Sequence, residues 1–131
     1  GGWLQRQSSL GMISLNCFKE AKNKDVEKIV SCAKELCCPN IAIDPEASRF
    51  YTNFGHLVGY GARYYGYLWS KVFALDLFNE IKKHGLLDQV IGKRYRDLVI
   101  GKGGSKDPNE LLKDFLGREP NSDAFFKDLG I

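Results

Sequence analysis

Residues 60–84 constrain the fold most, because apolar and aromatic side chains lie on nearly every side of the helix that they predict. At about 100° per residue, Leu68 and Val72 lie on one side of this helix, and Phe73 and Leu77 lie on another. A helix that is apolar on most of its circumference is buried on most of it. A chain of 131 residues has few residues left to wrap such a helix, so we expect it to be part of a larger protein.

Basic residues and a glycine mark the end of this helix. Lys82, Lys83 and His84 suit the negative end of the helix dipole. Gly85 can adopt the left-handed conformation that closes many helices. We therefore interpret His84 as a surface residue at the helix end and exclude it from the candidate site.

Two further helices are predicted in the first third of the chain. Residues 3–21 carry apolar side chains at helical spacing, and the predicted apolar face consists of Leu4, Leu10 or Gly11, Leu15 and Phe18. Asp25 suits the N-cap of a second helix, which Pro39 ends because proline cannot continue a helix. Both stretches therefore favour helix rather than strand.

The remaining stretches predict a linker and short helices. Residues 39–53 contain prolines and polar side chains that break any period, so they predict a linker. The elements predicted after residue 85 are a short helix over residues 88–99, a helix from the N-cap Asp107 to Gly117, and a last helix from Pro120 to about Gly130. The sequence therefore predicts an all-α fold of about six helices, in one partial domain over residues 1–131.

The charge pattern argues against binding to nucleic acids or membranes. The 19 basic and 16 acidic residues are mixed along the sequence, and the formal net charge is +3. There is no polybasic segment that would bind phosphates, and the apolar runs are too short to span a bilayer. We therefore expect neither nucleic acid nor a membrane among the partners.

The cysteines favour a reducing compartment. Cys17, Cys32, Cys37 and Cys38 occur without a secretory signal, and a bond between the adjacent Cys37 and Cys38 would be strained. Their spacing also differs from that of structural zinc sites. We predict four free thiols.

One histidine and three tyrosines are candidates for a hydrogen-bonding site. The candidates are His56, the neighbouring glycines Gly55, Gly59 and Gly61, and the tyrosines Tyr60, Tyr64 and Tyr67. The tyrosine spacing places the three phenols on one stripe of the predicted helix, whereas Tyr65 points away from it. Such hydroxyls and an imidazole can donate hydrogen bonds to a carbonyl or to the oxyanion formed from it. The alternative is that the tyrosines are core residues, each with a satisfied hydroxyl.

The same stretch resembles a known enzyme family. Residues 54–69 read F-G-H-L-V-G-Y-G-A-R-Y-Y-G-Y-L-W. They resemble the substrate-binding region of the thimet oligopeptidase, neurolysin and mitochondrial intermediate peptidase family of zinc metallopeptidases, approximately F-G-H-L-x-G-G-Y-D-A-x-Y-Y-G-Y-L-W. Residues 103–107 and 115–125 are also similar, and residues 4–7 match more weakly. The glycine loop is one residue shorter here, as in the mitochondrial intermediate peptidase branch.

The resemblance implies roles for the candidate residues. His56 and Tyr64 would hydrogen-bond the scissile carbonyl and its oxyanion. Tyr67 would bind the substrate backbone or also reach the oxyanion, and Tyr60 in its glycine loop would close over the peptide. The implied reaction is zinc-dependent hydrolysis of short peptides, in the cytoplasm or alternatively in the mitochondrial matrix.

The metal-binding motif of this family does not occur in the sequence. Such a peptidase needs H-E-x-x-H on a helix, and neither His56 nor His84 begins one. We therefore expect a C-terminal part of a catalytic domain that lacks the metal helix and is inactive alone. Zinc would be bound by residues outside this chain. The expected partners are short peptides and the upstream part of the catalytic domain, with possible self-association of the isolated chain. The alternative is a free-standing helical module that binds peptides or other proteins.

Overall fold

A computed structural model describes residues 1–20, 22–42 and 46–131, with the side chains of 46–48 left undescribed. Every regular element in these ranges is helical, which confirms the all-α prediction. The chain divides into two compact units, Gly1–Leu68 and Trp69–Ile131. None of the described helices is long and apolar enough to cross a membrane.

The first unit is built mainly from two helices and the segments that follow them. Its elements are α1 (Gly2–Phe18), α2 (Val26–Cys37), a 3₁₀ segment (Glu46–Asn53), the short helix α3 (His56–Gly59) and the first residues of α4 (Gly66–His84). Asp25 caps α2 as predicted, because its carboxylate accepts a hydrogen bond from the Lys28 amide at 3.0 Å. The core consists of Leu10, Ile13, Val30, Ala33, Phe54 and Tyr64.

The second unit packs the rest of α4 with short helices. These are α5 (Gln89–Tyr95), a π turn (Arg96–Ile100), a 3₁₀ turn (Gly103–Ser105), α6 (Pro108–Leu116) and α7 (Asp123–Leu129). Its core consists of Leu77, Ile91, Leu112, Phe115 and Leu116. Asp107 caps α6 and Gly117 closes it with φ of 69°, so both predicted ends are confirmed.

The predicted start of the tyrosine helix is wrong. Helix α4 begins at Gly66 rather than at Tyr60, and its end at His84 is as predicted. Gly61 has φ of 59°, a left-handed conformation that cannot continue a right-handed helix. Tyr60 instead closes α3, donating its amide hydrogen to the His56 carbonyl at 2.9 Å.

Other predicted boundaries also need correction. The first helix ends at Phe18, and the predicted end at residue 21 lies outside the described residues. Part of the predicted linker forms the 3₁₀ segment, whereas residues 43–45 of that linker are not described. The last helix begins at Asp123 rather than at Pro120. The start of this last helix lacks the side-chain cap that marks α2 and α6.

The buried face of α1 agrees only in part with the predicted one. Leu10 and Gly11 are buried as predicted, whereas Leu15 and Phe18 are 43% and 46% exposed. Ser9 and Ser14 are also buried. Small residues fit on this face because the backbone at Tyr65 comes close to it. A Cβ added at Gly11 would lie 3.7 Å from the Cα of Tyr65. Hydrophobic spacing alone does not predict a helix face whose small residues allow close backbone packing.

All four cysteines lie in the described ranges and are free thiols, as predicted. Burial raises the pKa of the Cys17 thiol, although the charge of Lys24 partly opposes it. Burial and the neighbouring Cys38 raise the pKa of Cys37. These thiols therefore stay protonated at neutral pH and are poor nucleophiles.

Candidate active site

The predicted site residues surround His56 in the first unit. His56 begins α3 and Tyr60 closes it, while Tyr64 lies in the turn before α4 and Tyr67 lies in the first turn of that helix. The three tyrosines therefore do not lie on one stripe of a single helix, although their i, i+4, i+7 spacing predicts it. They converge because the chain turns back at Gly61.

The three phenol rings contact the imidazole edge-to-face. The His56 ring centroid lies 4.9 Å from that of Tyr64, 5.6 Å from that of Tyr67 and 5.7 Å from that of Tyr60. The Tyr60 and Tyr67 rings stack on each other, with centroids 5.7 Å apart and an interplanar angle of 24°. These separations are typical of favourable aromatic pairs, so the rings hold the imidazole from several sides.

Two hydrogen bonds distinguish Tyr67 from Tyr64. The Tyr67 hydroxyl lies 3.0 Å from His56 Nε2, and this side chain is 47% exposed. The Tyr64 hydroxyl donates to Gln7 Oε1 at 3.2 Å, and this residue is only 8% exposed. The hydroxyl of Tyr67 therefore lies at the surface beside the imidazole, whereas that of Tyr64 is satisfied inside the unit.

An open cleft of about 540 Å³ lies on the exposed side of His56. Its lining consists of Asn53, Phe54, Gly55, His56, Gly59, Tyr60 and Tyr67. A Cβ added at Gly55 or Gly59 would meet no atom within 4 Å, so these two glycines leave open space beside the imidazole. Tyr64 and Gly61 do not line this cleft. The cleft is widely open to solvent, so it is a surface site rather than an enclosed cavity.

Gly61 shapes the turn instead. Its carbonyl accepts a hydrogen bond from the Ser14 hydroxyl at 2.8 Å, and Ser14 is fully buried in α1. The φ of 59° at this position strongly favours glycine. The glycine loop that carries Tyr60 is therefore tied to the first helix.

The similarity to known proteins covers the whole chain. The sequence profile described as Peptidase family M3 matches residues 1–131. The chain belongs to peptidase family M3. This confirms the family that residues 54–69 resemble.

Several known proteins are similar to this chain in sequence. Saccharolysin of Saccharomyces cerevisiae is 48% identical over 86 residues, which is 64% of this chain and 12% of the relative. Oligopeptidase A of Escherichia coli is 33% identical over 98% of this chain and 19% of the relative. The mitochondrial intermediate peptidase of Arabidopsis thaliana is 40% identical over 56% of this chain and 10% of the relative. The chain thus spans less than a fifth of the length of these relatives.

Three residues that were not assigned to the site from the sequence support it. Phe54 is buried, with its ring centroid 5.4 Å from that of His56 and 5.2 Å from that of Tyr64. The side chain of Gln7, 57 residues earlier in the sequence, accepts the hydrogen bond from the Tyr64 hydroxyl. Arg63 lies over the Tyr60 ring, 5.0 Å from its centroid. Of these, Phe54 has a signal in the sequence as the first residue of the F-G-H motif, and Gln7 has a weaker one within residues 4–7.

His56 has no metal-binding partners among the described residues. The rings around it belong to tyrosines and a phenylalanine. Within residues 1–20, 22–42 and 46–131, no group of three or more His, Cys, Asp or Glu residues could hold a metal ion. A catalytic zinc ion needs three such ligands and an open position. The described residues therefore do not form a zinc site, and the chemistry that they offer is hydrogen-bond donation.

His84 lies in the second unit and is exposed. Its Nε2 is 3.5 Å from a carboxylate oxygen of Glu80, one turn earlier in α4. This agrees with the interpretation of His84 as a surface residue near the end of a helix.

Proposed function

We propose that this chain is a C-terminal part of the catalytic domain of a zinc-dependent oligopeptidase that cleaves short peptides. In this proposal the chain supplies the substrate-binding and oxyanion-stabilising groups. The observation that carries the proposal is the contact of 3.0 Å between His56 Nε2 and the exposed Tyr67 hydroxyl, at the edge of an open cleft. The names of the relatives, oligopeptidase and intermediate peptidase, support peptide hydrolysis.

The zinc ion of the proposed enzyme would be bound by residues outside this chain. When bound, such an ion activates a water molecule and polarises the scissile carbonyl. The chain alone would then be inactive, because it has neither the H-E-x-x-H ligand pair nor the glutamate that accepts the proton of the water. Its own contribution is limited to binding the peptide and stabilising the oxyanion.

Which of His56 and Tyr67 donates in their shared hydrogen bond determines which group keeps a proton to donate to the substrate. A neutral imidazole has one donor and one acceptor nitrogen. We propose that Nε2–H of His56 donates to the Tyr67 oxygen, since the phenol proton is then free to point into the cleft. A donor fixed in advance stabilises a developing oxyanion without further reorganisation.

In this proposal, Tyr67 rather than Tyr64 is the main donor to the oxyanion. The resemblance implies an oxyanion contact for Tyr64, but its hydroxyl would first have to leave Gln7. Tyr60 would cover the bound peptide, since its ring lines the cleft and stacks on Tyr67. Gly55 and Gly59 would allow the peptide backbone to approach, and Gly61 would hold the turn.

A second candidate function is a helical module that binds peptides or other proteins without cleaving them. Exposed apolar side chains such as Val58, Trp69 and Leu87 favour some association, either with the upstream part of the protein or with a second copy. The proposed compartment is the cytoplasm, or else the mitochondrial matrix, as the names of the relatives suggest.

The test is hydrolysis of a quenched fluorescent peptide by the full-length protein that contains this chain. We expect cleavage that a zinc chelator abolishes and that added zinc restores. His56→Ala should lower kcat by about 10²-fold or more with little change in KM, because the lost interaction is made mainly in the transition state. Peptide binding without cleavage would instead support the module, and unchanged kinetics of the His56 variant would remove His56 from the mechanism.

A further inference from the structure

We propose that Arg63 determines specificity by binding a carboxylate of the peptide substrate. This inference rests on the proposed function and adds a substrate class to it, namely peptides with a negative charge near the scissile bond. The resemblance to family M3 assigns no role to this position.

The turn between Tyr60 and Tyr64 fixes the position of the Arg63 side chain. Its Nε donates a hydrogen bond to the Tyr60 carbonyl at 3.0 Å, and its guanidinium carbon lies 5.0 Å from the centroid of the Tyr60 ring. Arg63 itself does not line the cleft, but the Tyr60 ring that it contacts lines the cleft and stacks on Tyr67. The hydrogen bond and the cation–π contact therefore hold a positive charge beside the proposed substrate-binding cleft.

Most donors of this guanidinium remain available. Arg63 is exposed, and none of the described residues forms a salt bridge with it. In contrast, both terminal nitrogens of Arg118 donate to the Asp76 carboxylate. A guanidinium has five N–H groups in a planar fork that matches a carboxylate, and Arg63 uses only the one on Nε.

The surroundings of Arg63 favour an anion. The described residues that line the cleft include no Asp or Glu, so none of them would repel a carboxylate. Phe54, Tyr60 and Tyr67 are uncharged, so their side chains bring no competing charge to the cleft. A charge-assisted hydrogen bond from a guanidinium to a carboxylate is stronger than one between neutral groups. The carboxylate could be the C-terminus of a short peptide or an acidic side chain within it.

The experiment compares three peptides that differ in one charge. The first has a free C-terminal carboxylate and no acidic side chain, and the second is its C-terminal amide. The third is the amide with one Gln replaced by Glu. For the full-length protein, kcat/KM is measured on each peptide, for the native sequence, Arg63→Gln and Arg63→Lys.

We expect the native protein to prefer a carboxylate peptide over the plain amide by about tenfold or more. The free C-terminus and the Glu peptide show which source of carboxylate is used. Arg63→Gln should bring this ratio to about one, and Arg63→Lys should keep part of it, because lysine retains the charge but not the fork. The preference should also weaken at high salt.

The matched control is Arg96→Gln, which removes another exposed arginine from the second unit and should leave the ratio unchanged. A native ratio of one on the three peptides overturns the inference while leaving the proposed function intact. An equal fall on all three peptides in Arg63→Gln also overturns it, since Arg63 would then only hold the Tyr60 turn. If the native protein cleaves none of the peptides, the proposed function itself fails.

Discussion

The two units satisfy their polar side chains in different ways. In the second unit, salt bridges are frequent, and it contains all of those that join described residues. In the first unit, polar groups of neutral residues meet among aromatic rings, as in the Tyr64–Gln7 and Ser14–Gly61 hydrogen bonds. Most of the aromatic ring contacts also lie there. The first unit is therefore the one whose hydrogen-bonding groups, such as the exposed Tyr67 hydroxyl, could meet a ligand.

Most salt bridges of the second unit are exposed and add little stability. The exception is Asp76, which is 1% exposed and accepts from both terminal nitrogens of Arg118, at 3.0 and 2.5 Å. The Asn121 amide also donates to it at 2.9 Å. This carboxylate has its partners within the unit and holds α4 to the segment between α6 and α7. It is a structural group, whereas the Tyr67 hydroxyl is available to a substrate.

The largest expected effect is on catalysis in the first unit. Tyr67→Phe in the full-length protein should lower kcat by about 10²–10³-fold with little change in KM, because the change removes the proposed donor to the oxyanion and alters the side-chain shape little. Steady-state kinetics with a quenched peptide measures this. Tyr64→Phe should have a smaller effect, since the Tyr64 hydroxyl is held by Gln7.

The control for both variants is Tyr65→Phe, whose side chain is exposed and does not line the cleft. It should keep the native kcat. If Tyr64→Phe is instead the more damaging change, the oxyanion contact belongs to Tyr64, as the sequence predicts, and the hydroxyl leaves Gln7 during the reaction. Native kcat in both Tyr64→Phe and Tyr67→Phe would contradict the assignment of the site to this cluster.

The next effect is on the stability of the second unit. Arg118→Met leaves the buried Asp76 without its main partner, which should cost about 3 kcal/mol. Hydrogen–deuterium exchange of the full-length protein should then be about 100-fold faster in peptides that cover α6 and α7. The matched control is Arg96→Met, because the Arg96–Asp97 pair is exposed, and we expect no change in the exchange of these peptides. Equal exchange in both variants would show that the Asp76 pair has no special structural role.

The smallest effect concerns pH. Burial raises the pKa of Asp76, but hydrogen bonds from Arg118 and Asn121 and the charge of Arg118 outweigh it, so the net pKa lies below the ordinary value. Its contribution to stability is therefore complete above the unfolded pKa of about 3.9 and is lost as the pH falls through the lower, folded pKa. The stability difference between the native protein and Asp76→Asn, from exchange rates corrected for intrinsic pH effects, should be constant above about pH 5 and shrink below about pH 4. A difference that grows on acidification would contradict the direction of this shift.

The parts of the fold that were predicted correctly depend on short-range chemistry. The caps at Asp25 and Asp107 and the stop at Gly117 involve residues within one turn of a helix, so their signals are local. The identity of the family rests on residues 54–69, whose pattern is long and specific. For the same reason, the sequence singles out His56 and the three tyrosines as one group.

The remaining features depend on residues far apart in the sequence. The start of α4 at Gly66 follows from the left-handed Gly61 and from its bond to Ser14, which helical spacing does not reveal. The contact from Gln7 to Tyr64 likewise has no local signal. The π turn at residues 96–100 differs from these, because it replaces the end of a predicted helix by a local change, with Gly101 so close that an added Cβ would lie 3.0 Å from the Arg96 carbonyl oxygen. Long-range contacts therefore override local preference at the first two places.

The bonds from α1 to the tyrosine turn also set the order in which the molecule forms. Gln7 and Tyr64 are 57 residues apart, and Ser14 and Gly61 are 47 apart. Closing such long loops costs chain entropy before any contact compensates for it, whereas single helices form from neighbouring residues within about a microsecond. During refolding, helical circular dichroism will therefore recover before the tyrosine cluster does. Although no residue of α1 lines the cleft, the docking of this helix determines when the cleft appears.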